Sequence, residues 1–386
     1  MPTRFTIPAA ALLFTLFSGC SKSDNPTLPS ASVAGVRQDR TTVTSPFQFT
    51  VTLTKTSTQE VSIHYTTVAG TALENVDFLP STGTLTIPAG QKSASLTVQV
   101  TGDSTRKANQ IFHVQLDNPA NCTLAVDNGI GTIVNENGVY FPVASAGYST
   151  PDNYSGYTLA WSDEFDGNQI NTNNWGYDIG NNGWGNHELE NYTNNSHNSF
   201  VSQGNLIIEA RLENVGGSSY TSARMLTKSR KSFEYGRIDI RAKLPIGKGI
   251  WPALWLLGDN IDQVGWPTCG EMDMMELLGQ EPAKVYGTLH WGAPAHQSTG
   301  TNYALGTGSF NDQFHVFSMT WKADSVKMFV DDQQFFANPN TPGYPFNSTF
   351  FFIFNVAVGG DWPGAPDGNT QFPQRMIVDY VRVFQK

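Results

Sequence analysis

The acidic segment 271–276 (EMDMME) holds the side chains best suited to chemistry in this chain. Two carboxyl groups facing one groove can cleave a glycosidic bond with retention, because one attacks the sugar carbon and the other protonates the leaving oxygen. Glu271 and Glu276 are the candidates for these two roles, and Asp273 lies between them. Crowding separates the pKa values of such acids, since like charges raise the pKa of at least one.

The segment has the character of a β-strand, whose side chains alternate between two faces. Glu271 and Asp273 then share one face, and Met272 lies on the other. Strict alternation would bury Glu276 unpaired among methionines, which is costly. A β-bulge near positions 274–275 would return Glu276 to the face of Glu271. Backbone rise alone would separate the two glutamates by roughly 16 Å, so the bulge and the long side chains must shorten that distance. The alternatives are a charged edge strand or a metal-binding loop.

The segment and its surroundings resemble the catalytic signature of glycoside hydrolase family 16, in its bulged, laminarinase-like form. The resemblance extends over 158–386 and includes WSDEFDG (161–167), GWGNHEL (183–189), WPALW (251–255), GWPTCG (265–270) and VAVGGDWPG (356–364). It implies a jelly roll with an open cleft and retaining endo-hydrolysis of β-1,3-glucans such as laminarin. It also implies that Glu271 is the nucleophile, Glu276 the acid/base and Asp273 the carboxylate that orients Glu271.

The same resemblance implies a set of substrate-binding residues: Trp251, Trp255, Trp266, Asn186, Arg224 and His290. Aromatic rings stack on the apolar faces of sugars, while hydroxyl groups need directed polar partners. The alternatives are a core position for the tryptophans and a hydrogen-bonded sheet position for His290. Glu190 occupies a position where the family more often has Gln.

A structural Ca²⁺ is also implied by the family resemblance, with Glu164, a carbonyl of Gly204 and Asp379 as ligands. Oxygen ligands of this kind suit Ca²⁺. The alternative is that the two acids cap turns without any ion. No cofactor is expected for catalysis.

Strand-like runs at 205–210, 236–243, 326–330, 350–356 and 376–383 dominate the C-terminal part, and no long helical period appears. This pattern predicts an all-β fold, a concanavalin-like jelly-roll sandwich over 158–386. All nine tryptophans lie at or after Trp161, which separates this part from the preceding hundred residues.

Residues 33–137 are rich in Thr and Val, and their polar and apolar side chains alternate with a period of two. Gly, Pro and Asn turns interrupt this pattern at short intervals. The pattern predicts a smaller β-sandwich, and the segments 65–72, 77–78 and 83–90 resemble a Calx-beta domain. Such domains often bind Ca²⁺, but the loop 102–110 has few acids. We therefore expect a spacer or adhesion module there. Residues 138–157 are expected to form a linker.

The chain has 23 basic and 33 acidic residues, a formal net charge of −10. That balance excludes a nucleic-acid partner, because a phosphate backbone would be repelled. Cys122 and Cys269 are expected to lie in different domains as free buried thiols.

Residues 1–20 resemble a bacterial lipoprotein signal, with Cys20 as the lipidation site and 21–32 as a flexible tether. An ordinary secretion signal is the alternative. We expect an extracytoplasmic monomer that acts on β-glucan, held on the outer membrane or cell surface only by a lipid anchor. The functional alternatives are a mixed-linkage glucan or galactan hydrolase of the same family, or a non-catalytic β-glucan-binding protein.

Overall fold

The structure is a computed structural model that describes residues 27–292 and 295–386. The predicted signal segment, the lipidation candidate Cys20 and the first part of the predicted tether lie outside these residues. The chain divides into two compact units. One contains the described residues up to Gly102 and Asn109–Val134, and the other contains Asp103–Ala108 and Asn135–Lys386.

The first unit is a sandwich of two sheets with strand orders β6-β3-β1-β8 and β2-β9-β7-β4-β5. Its strands, within the described part of the chain, are β1 (Ser30–Val33), β2 (Val36–Asp39), β3 (Ser45–Leu53), β4 (Val61–Ala69), β5 (Thr82–Ile87), β6 (Ser93–Val100), β7 (Gln110–Ala120), β8 (Thr123–Val126) and β9 (Asn128–Val134). Alternate residues of β3 are buried, as the period-two pattern predicts.

The predicted tether ends earlier than expected, since β1 already begins at Ser30. Ala31 and Val33 are buried in the core of the sandwich, and β1 pairs with β3. The sequence pattern is too short at this point to distinguish a four-residue strand from a polar tether.

The second unit contains the remaining strands and, among the described residues, one short helix, α1 (Ile261–Val264). The strands are β10 (Thr158–Asp163), β11 (Gly176–Asp178), β12 (Glu190–Tyr192), β13 (Ser199–Ser202), β14 (Asn205–Val215), β15 (Ser218–Ser222), β16 (Arg224–Leu226), β17 (Gly236–Lys243), β18 (Ile250–Gly258), β19 (Glu271–Leu277), β20 (Lys284–Trp291), β21 (Gln297–Ala304), β22 (His315–Lys322), β23 (Ser325–Val330), β24 (Gln333–Pro339), β25 (Phe350–Val358) and β26 (Gln374–Gln385).

These strands form two sheets that enclose one large apolar core. The first has the order β12-β15-β14-β26-β17-β22-β23-β24, with β10 beside β26 and β13 beside β14, and the second has the order β11-β16-β25-β18-β19-β20-β21. The predicted all-β jelly-roll sandwich is confirmed. In the described part of the chain, no helix has the length and apolar character needed to cross a bilayer.

Strand β25 explains how the second sheet presents a groove. Phe350, Phe352 and Phe354 point into the core between the sheets. Phe351 and Ile353 form a small cluster on the opposite face, next to the positions that line the groove. Each fully buried apolar side chain stabilises the fold by about 1.5–3 kcal/mol, so the groove floor is anchored from both sides.

The stretch 138–157, predicted as a linker, is held against the second unit by specific contacts. The Thr150 N–H donates to the Tyr380 hydroxyl at 2.9 Å, and the Tyr154 hydroxyl donates to Asp239 at 2.6 Å. Tertiary contacts order this segment, although it has no periodicity of its own, and it packs as part of the second unit. Cys122 and Cys269 are free and buried, as predicted.

Candidate active site

The predicted bulge in β19 is present. Against β18, Glu276 faces Ala253 and Asp273 faces Trp255, although three positions separate the two acids and only two separate their partners. The register against β20 shifts at the same place, between Asp273 and Glu276. The extra residue lets Met272, Met274 and Met275 enter the core, while Glu271, Asp273 and Glu276 line one groove. The prediction that Glu276 returns to the face of Glu271 is confirmed.

The groove has a volume of about 390 Å³ and lies on the second sheet of this unit. All three acids, the three predicted tryptophans, Asn186 and Arg224 line it. A concave site with aromatic walls and a few convergent polar groups suits a sugar chain.

Two tryptophans donate hydrogen bonds to the two glutamates. Trp266 Nε1 donates to Glu271 Oε2 at 2.9 Å, and Trp251 Nε1 donates to Glu276 Oε1 at 3.1 Å. Trp266 is 50% exposed, so its ring face remains open to a ligand. Each indole therefore can orient one carboxylate and also form part of the groove wall.

Burial raises the pKa of all three groove acids. It raises the pKa of Glu271 to about 8, with a further contribution from the Asp273 charge. It raises the pKa of Asp273 to about 8. Burial and the charges of both neighbours raise the pKa of Glu276 well above its ordinary value. Like charges this close oppose one another, so the three carboxyl groups do not all ionise together near neutral pH.

His290 lies beside the acids, as the resemblance implied. Its Nε2 is 3.2 Å from Asp273 Oδ2, and its Nδ1 is 2.8 Å from His296 Nε2. His296 packs against Trp266, with ring centroids 4.8 Å apart and the ring planes tilted by 40°. His296 was not identified from the sequence, because its position six residues beyond His290 carries no recognisable spacing.

Arg224 is fixed against the groove wall by two aromatic rings and an acid. Its guanidinium lies 5.0 Å from the ring centre of Trp184 and 4.8 Å from that of Trp255. Its Nε donates to Asp178 Oδ2 at 3.0 Å. Trp255 is only 9% exposed and donates through Nε1 to Asn355, so it supports Arg224 and presents little free ring face to a sugar.

A buried network behind Asn186 was missed in the sequence. Asn186 Nδ2 donates to Glu188 Oε1 at 3.0 Å, and the Tyr192 hydroxyl donates to Glu188 Oε2 at 2.9 Å. Glu190 is fully buried and its Oε2 accepts from the Val358 N–H. Burial and the Glu188 charge raise the pKa of Glu190 well above its ordinary value. Glu190 is therefore the protonated member of the pair, and Glu188 accepts the hydrogen bond that holds Asn186.

Trp362 also belongs to the groove region. It is 42% exposed, and its ring meets those of Trp251 and Tyr286 edge to face at centroid distances of 5.6 and 4.9 Å. The motif 356–364 contains this tryptophan, but nothing in its spacing distinguishes it from the core positions of that motif.

The residues predicted to bind Ca²⁺ have other partners. Both oxygens of Glu164 accept from Arg382, at 2.9 and 2.7 Å, and Asp379 accepts from Arg241 at 2.8 Å. Gly204 lies in the turn between β13 and β14 with a φ of 70°. An ion on Glu164 would have to displace a bidentate guanidinium, so this arrangement does not fit calcium well. The calcium site stays a prediction.

The comparisons with known proteins agree with this geometry. The model of glycosyl hydrolases family 16 matches residues 185–382, and the Calx-beta domain model matches residues 33–135. The chain belongs to glycosyl hydrolase family 16. The family 16 match contains the bulged strand β19 and most of the groove.

Relatives of this family 16 chain include enzymes named for glucan hydrolysis. It is 39% identical over 271 residues to glucan endo-1,3-beta-glucosidase A1 of Niallia circulans, covering 63% of this chain and 40% of that protein. It is 40% identical over 244 residues to a beta-glucanase of Rhodothermus marinus, covering 59% and 85%. The laminarinase catalytic domain of Thermotoga maritima is 48% identical, with a TM-score of 0.57, covering 60% of this chain and 98% of that structure.

Proposed function

We propose that this glycoside hydrolase cleaves β-1,3-glucan of the laminarin type at internal bonds and retains the anomeric configuration. The observation that carries the proposal is the bulge in β19, which brings Glu271, Asp273 and Glu276 into one groove. The relatives named for endo-1,3-β-glucan hydrolysis support the choice of linkage. The chain spans 40% of the first of these relatives and 85% of the second.

In the first step, a carboxylate oxygen of Glu271 attacks the anomeric carbon while the Glu276 carboxyl gives its proton to the glycosidic oxygen. The C–O bond to the leaving chain breaks as the Glu271–sugar ester forms. The Trp266 N–H holds one Glu271 oxygen, which leaves the other free to attack. The raised pKa of Glu276 keeps the proton available near neutral pH.

In the second step, Glu276, now a carboxylate, takes a proton from water, whose oxygen attacks the same carbon. The ester to Glu271 breaks, and the sugar is released with its original configuration. Asp273 acts as a positioning residue throughout, because it takes up the proton that Glu271 must lose and its charge otherwise opposes ionisation of both glutamates.

The substrate-binding roles of Trp251, Trp266, Asn186, Arg224 and His290 form part of the same proposal. Trp266 and Asn186 have partly free surfaces along the groove, and Arg224 is rigidly held. Trp255 contributes through Arg224, which covers its ring. No metal takes part in these steps.

The proposal is tested by digesting laminarin, lichenan and agarose and resolving the products by size. We expect a series of short oligosaccharides from laminarin, and little product from agarose. The matched variant is Glu271→Gln, which keeps the shape of the side chain and removes the nucleophile. Full activity of Glu271→Gln on laminarin would refute the assignment, and preferential release from lichenan or agarose would move the specificity to another member of the family.

We also propose that the protein works outside the cytoplasm as a monomer anchored by lipid at Cys20. The segment 1–20 and its small residues before Cys20 support this proposal. Changing Cys20 to Ala should move the protein from the membrane fraction to the soluble extracytoplasmic fraction. An unchanged distribution would contradict the lipid anchor.

A further inference from the structure

Three potential metal ligands lie close together, and two of them are acids that line the groove. One ligand atom from each of three side chains lies within 4.8 Å of the other two, and the side chains are Glu271, Asp273 and His290. His290 Nε2 approaches Asp273 Oδ2 to 3.2 Å. A tetrahedral ion with bonds of about 2.0–2.2 Å holds its ligand atoms roughly 3.5 Å apart. The His290–Asp273 pair is already this close, and any wider separation within the 4.8 Å limit closes by a small side-chain movement as the ion binds.

Asp273 gives independent evidence that a cation would be stabilised here. Its side chain is almost completely buried, with the residue 4% exposed, and its Oδ2 has no hydrogen-bond partner. The nearby His290 nitrogen therefore makes a close contact without hydrogen-bond geometry. A buried acceptor without a partner is costly, and a metal ion between Asp273 and His290 would remove that cost.

His296 supplies the second contact that a metal-binding histidine usually needs. Its Nε2 lies 2.8 Å from His290 Nδ1, and the two rings stack at a centroid distance of 5.1 Å. When His290 donates a proton from Nδ1 to His296, its Nε2 carries a lone pair beside Asp273. Outer hydrogen bonds of this kind fix the tautomer of metal ligands.

Imidazole nitrogen and carboxylate oxygen are both ligands of Zn²⁺, and three protein ligands leave a fourth position open, whereas Ca²⁺ and Mg²⁺ prefer oxygen alone. We propose that Glu271, Asp273 and His290 form a binding site for a divalent transition metal such as Zn²⁺, and that the bound ion blocks hydrolysis. A metal on Glu271 would occupy the oxygen that attacks the sugar and fill part of the groove. The inhibition rests on the proposed function, but the binding does not.

Metal binding is tested by calorimetric titration of the full chain with ZnCl₂ in the absence of sugar. We expect one site in the wild type, loss of that site in His290→Ala, and a roughly 10–100-fold weaker affinity in His296→Phe, which keeps the stacked ring and loses the outer hydrogen bond. The control is His187→Ala, because His187 forms an exposed pair with Asp361 at 2.9 Å and should not change zinc affinity.

The result that overturns the site is a wild type that does not bind zinc, or unchanged zinc affinity in both His290→Ala and His296→Phe. The two variants are independent, so a folding defect in one leaves the other decisive. Circular dichroism of each variant identifies such a defect.

The inhibitory effect is measured by the release of reducing ends from laminarin at increasing zinc concentration. We expect the apparent KM to rise at constant kcat, and EDTA to restore activity. Inhibition that lowers kcat alone would contradict a site on the nucleophile. If the chain binds zinc but does not hydrolyse laminarin, the proposed function is refuted and the metal site is supported. If the chain hydrolyses laminarin but does not bind zinc, the metal site is refuted and the proposed function is supported.

Discussion

The indole hydrogen bonds give a paired prediction that distinguishes the roles of the two glutamates. Trp266→Phe removes the N–H that stabilises ionised Glu271, and Trp251→Phe removes the one that stabilises ionised Glu276. Losing such a donor raises the pKa of the carboxyl group. Because Glu271 must be ionised, Trp266→Phe should move the acidic limb of the pH–rate profile upward. Because Glu276 must be protonated, Trp251→Phe should move the alkaline limb upward.

The expected shifts follow from the strength of the hydrogen bonds. A bond to a charged acceptor contributes about 1.5–3 kcal/mol, and one pKa unit corresponds to about 1.4 kcal/mol, so complete loss raises the pKa by about 1–2 units. Trp266 is 50% exposed, and water can replace part of its bond. We therefore expect a shift of about half a unit to one unit for Trp266→Phe, and a larger one for Trp251→Phe.

The assay is kcat/KM on laminarin as a function of pH, since this quantity reports the free enzyme. Trp255→Phe is the matched control, because its indole donates to Asn355 and to neither glutamate. The two limbs of the profile give apparent pKa values that belong to the interacting acids together. The quantity to compare is therefore the shift of each limb between a variant and the wild type. The assigned roles would be refuted if Trp266→Phe moved the alkaline limb and Trp251→Phe the acidic limb, or if neither variant moved a limb.

Two further predictions concern stability. Glu190 is protonated in the folded protein because burial and Glu188 raise its pKa. Its contribution to the free energy of unfolding is therefore fully present below the unfolded pKa of about 4.3, and it falls as the pH rises above that value. The Tm advantage of Glu190→Gln over the wild type should therefore grow from about pH 5 to about pH 8; equal pH slopes would contradict this. The arginine pairs on Glu164 and Asp379 predict that EDTA leaves the Tm unchanged, and a fall would support the calcium site implied by the sequence.

The catalytic strand was predictable because burial of an unpaired acid is so unfavourable. Alternation placed Glu276 among methionines, and only a bulge could reconcile the acid with the apolar neighbours. Strand β19 has that bulge, with Met274 and Met275 in the core. The all-β fold followed from period-two runs such as β3 and from the continuous apolar run of β25.

The parts that the sequence could not give depend on contacts between distant residues. The segment 138–157 is ordered by partners such as Tyr380, more than two hundred positions away. Arg382 forms an ion pair with Glu164, which lies 218 positions away in the sequence. No local sequence pattern predicts that pair. The Glu188–Glu190 network was hidden for a different reason, since an acid in a strand is normally expected on the surface.

The most direct test of the account is to trap the covalent intermediate. An activated 2-fluoro glycoside of laminaribiose slows the second step, so that the glycosyl-enzyme accumulates and can be mapped by mass spectrometry after proteolysis. The account predicts one sugar per chain, attached to Glu271. A label on Glu276 or Asp273, or turnover without a covalent adduct and with inverted product configuration, would contradict it.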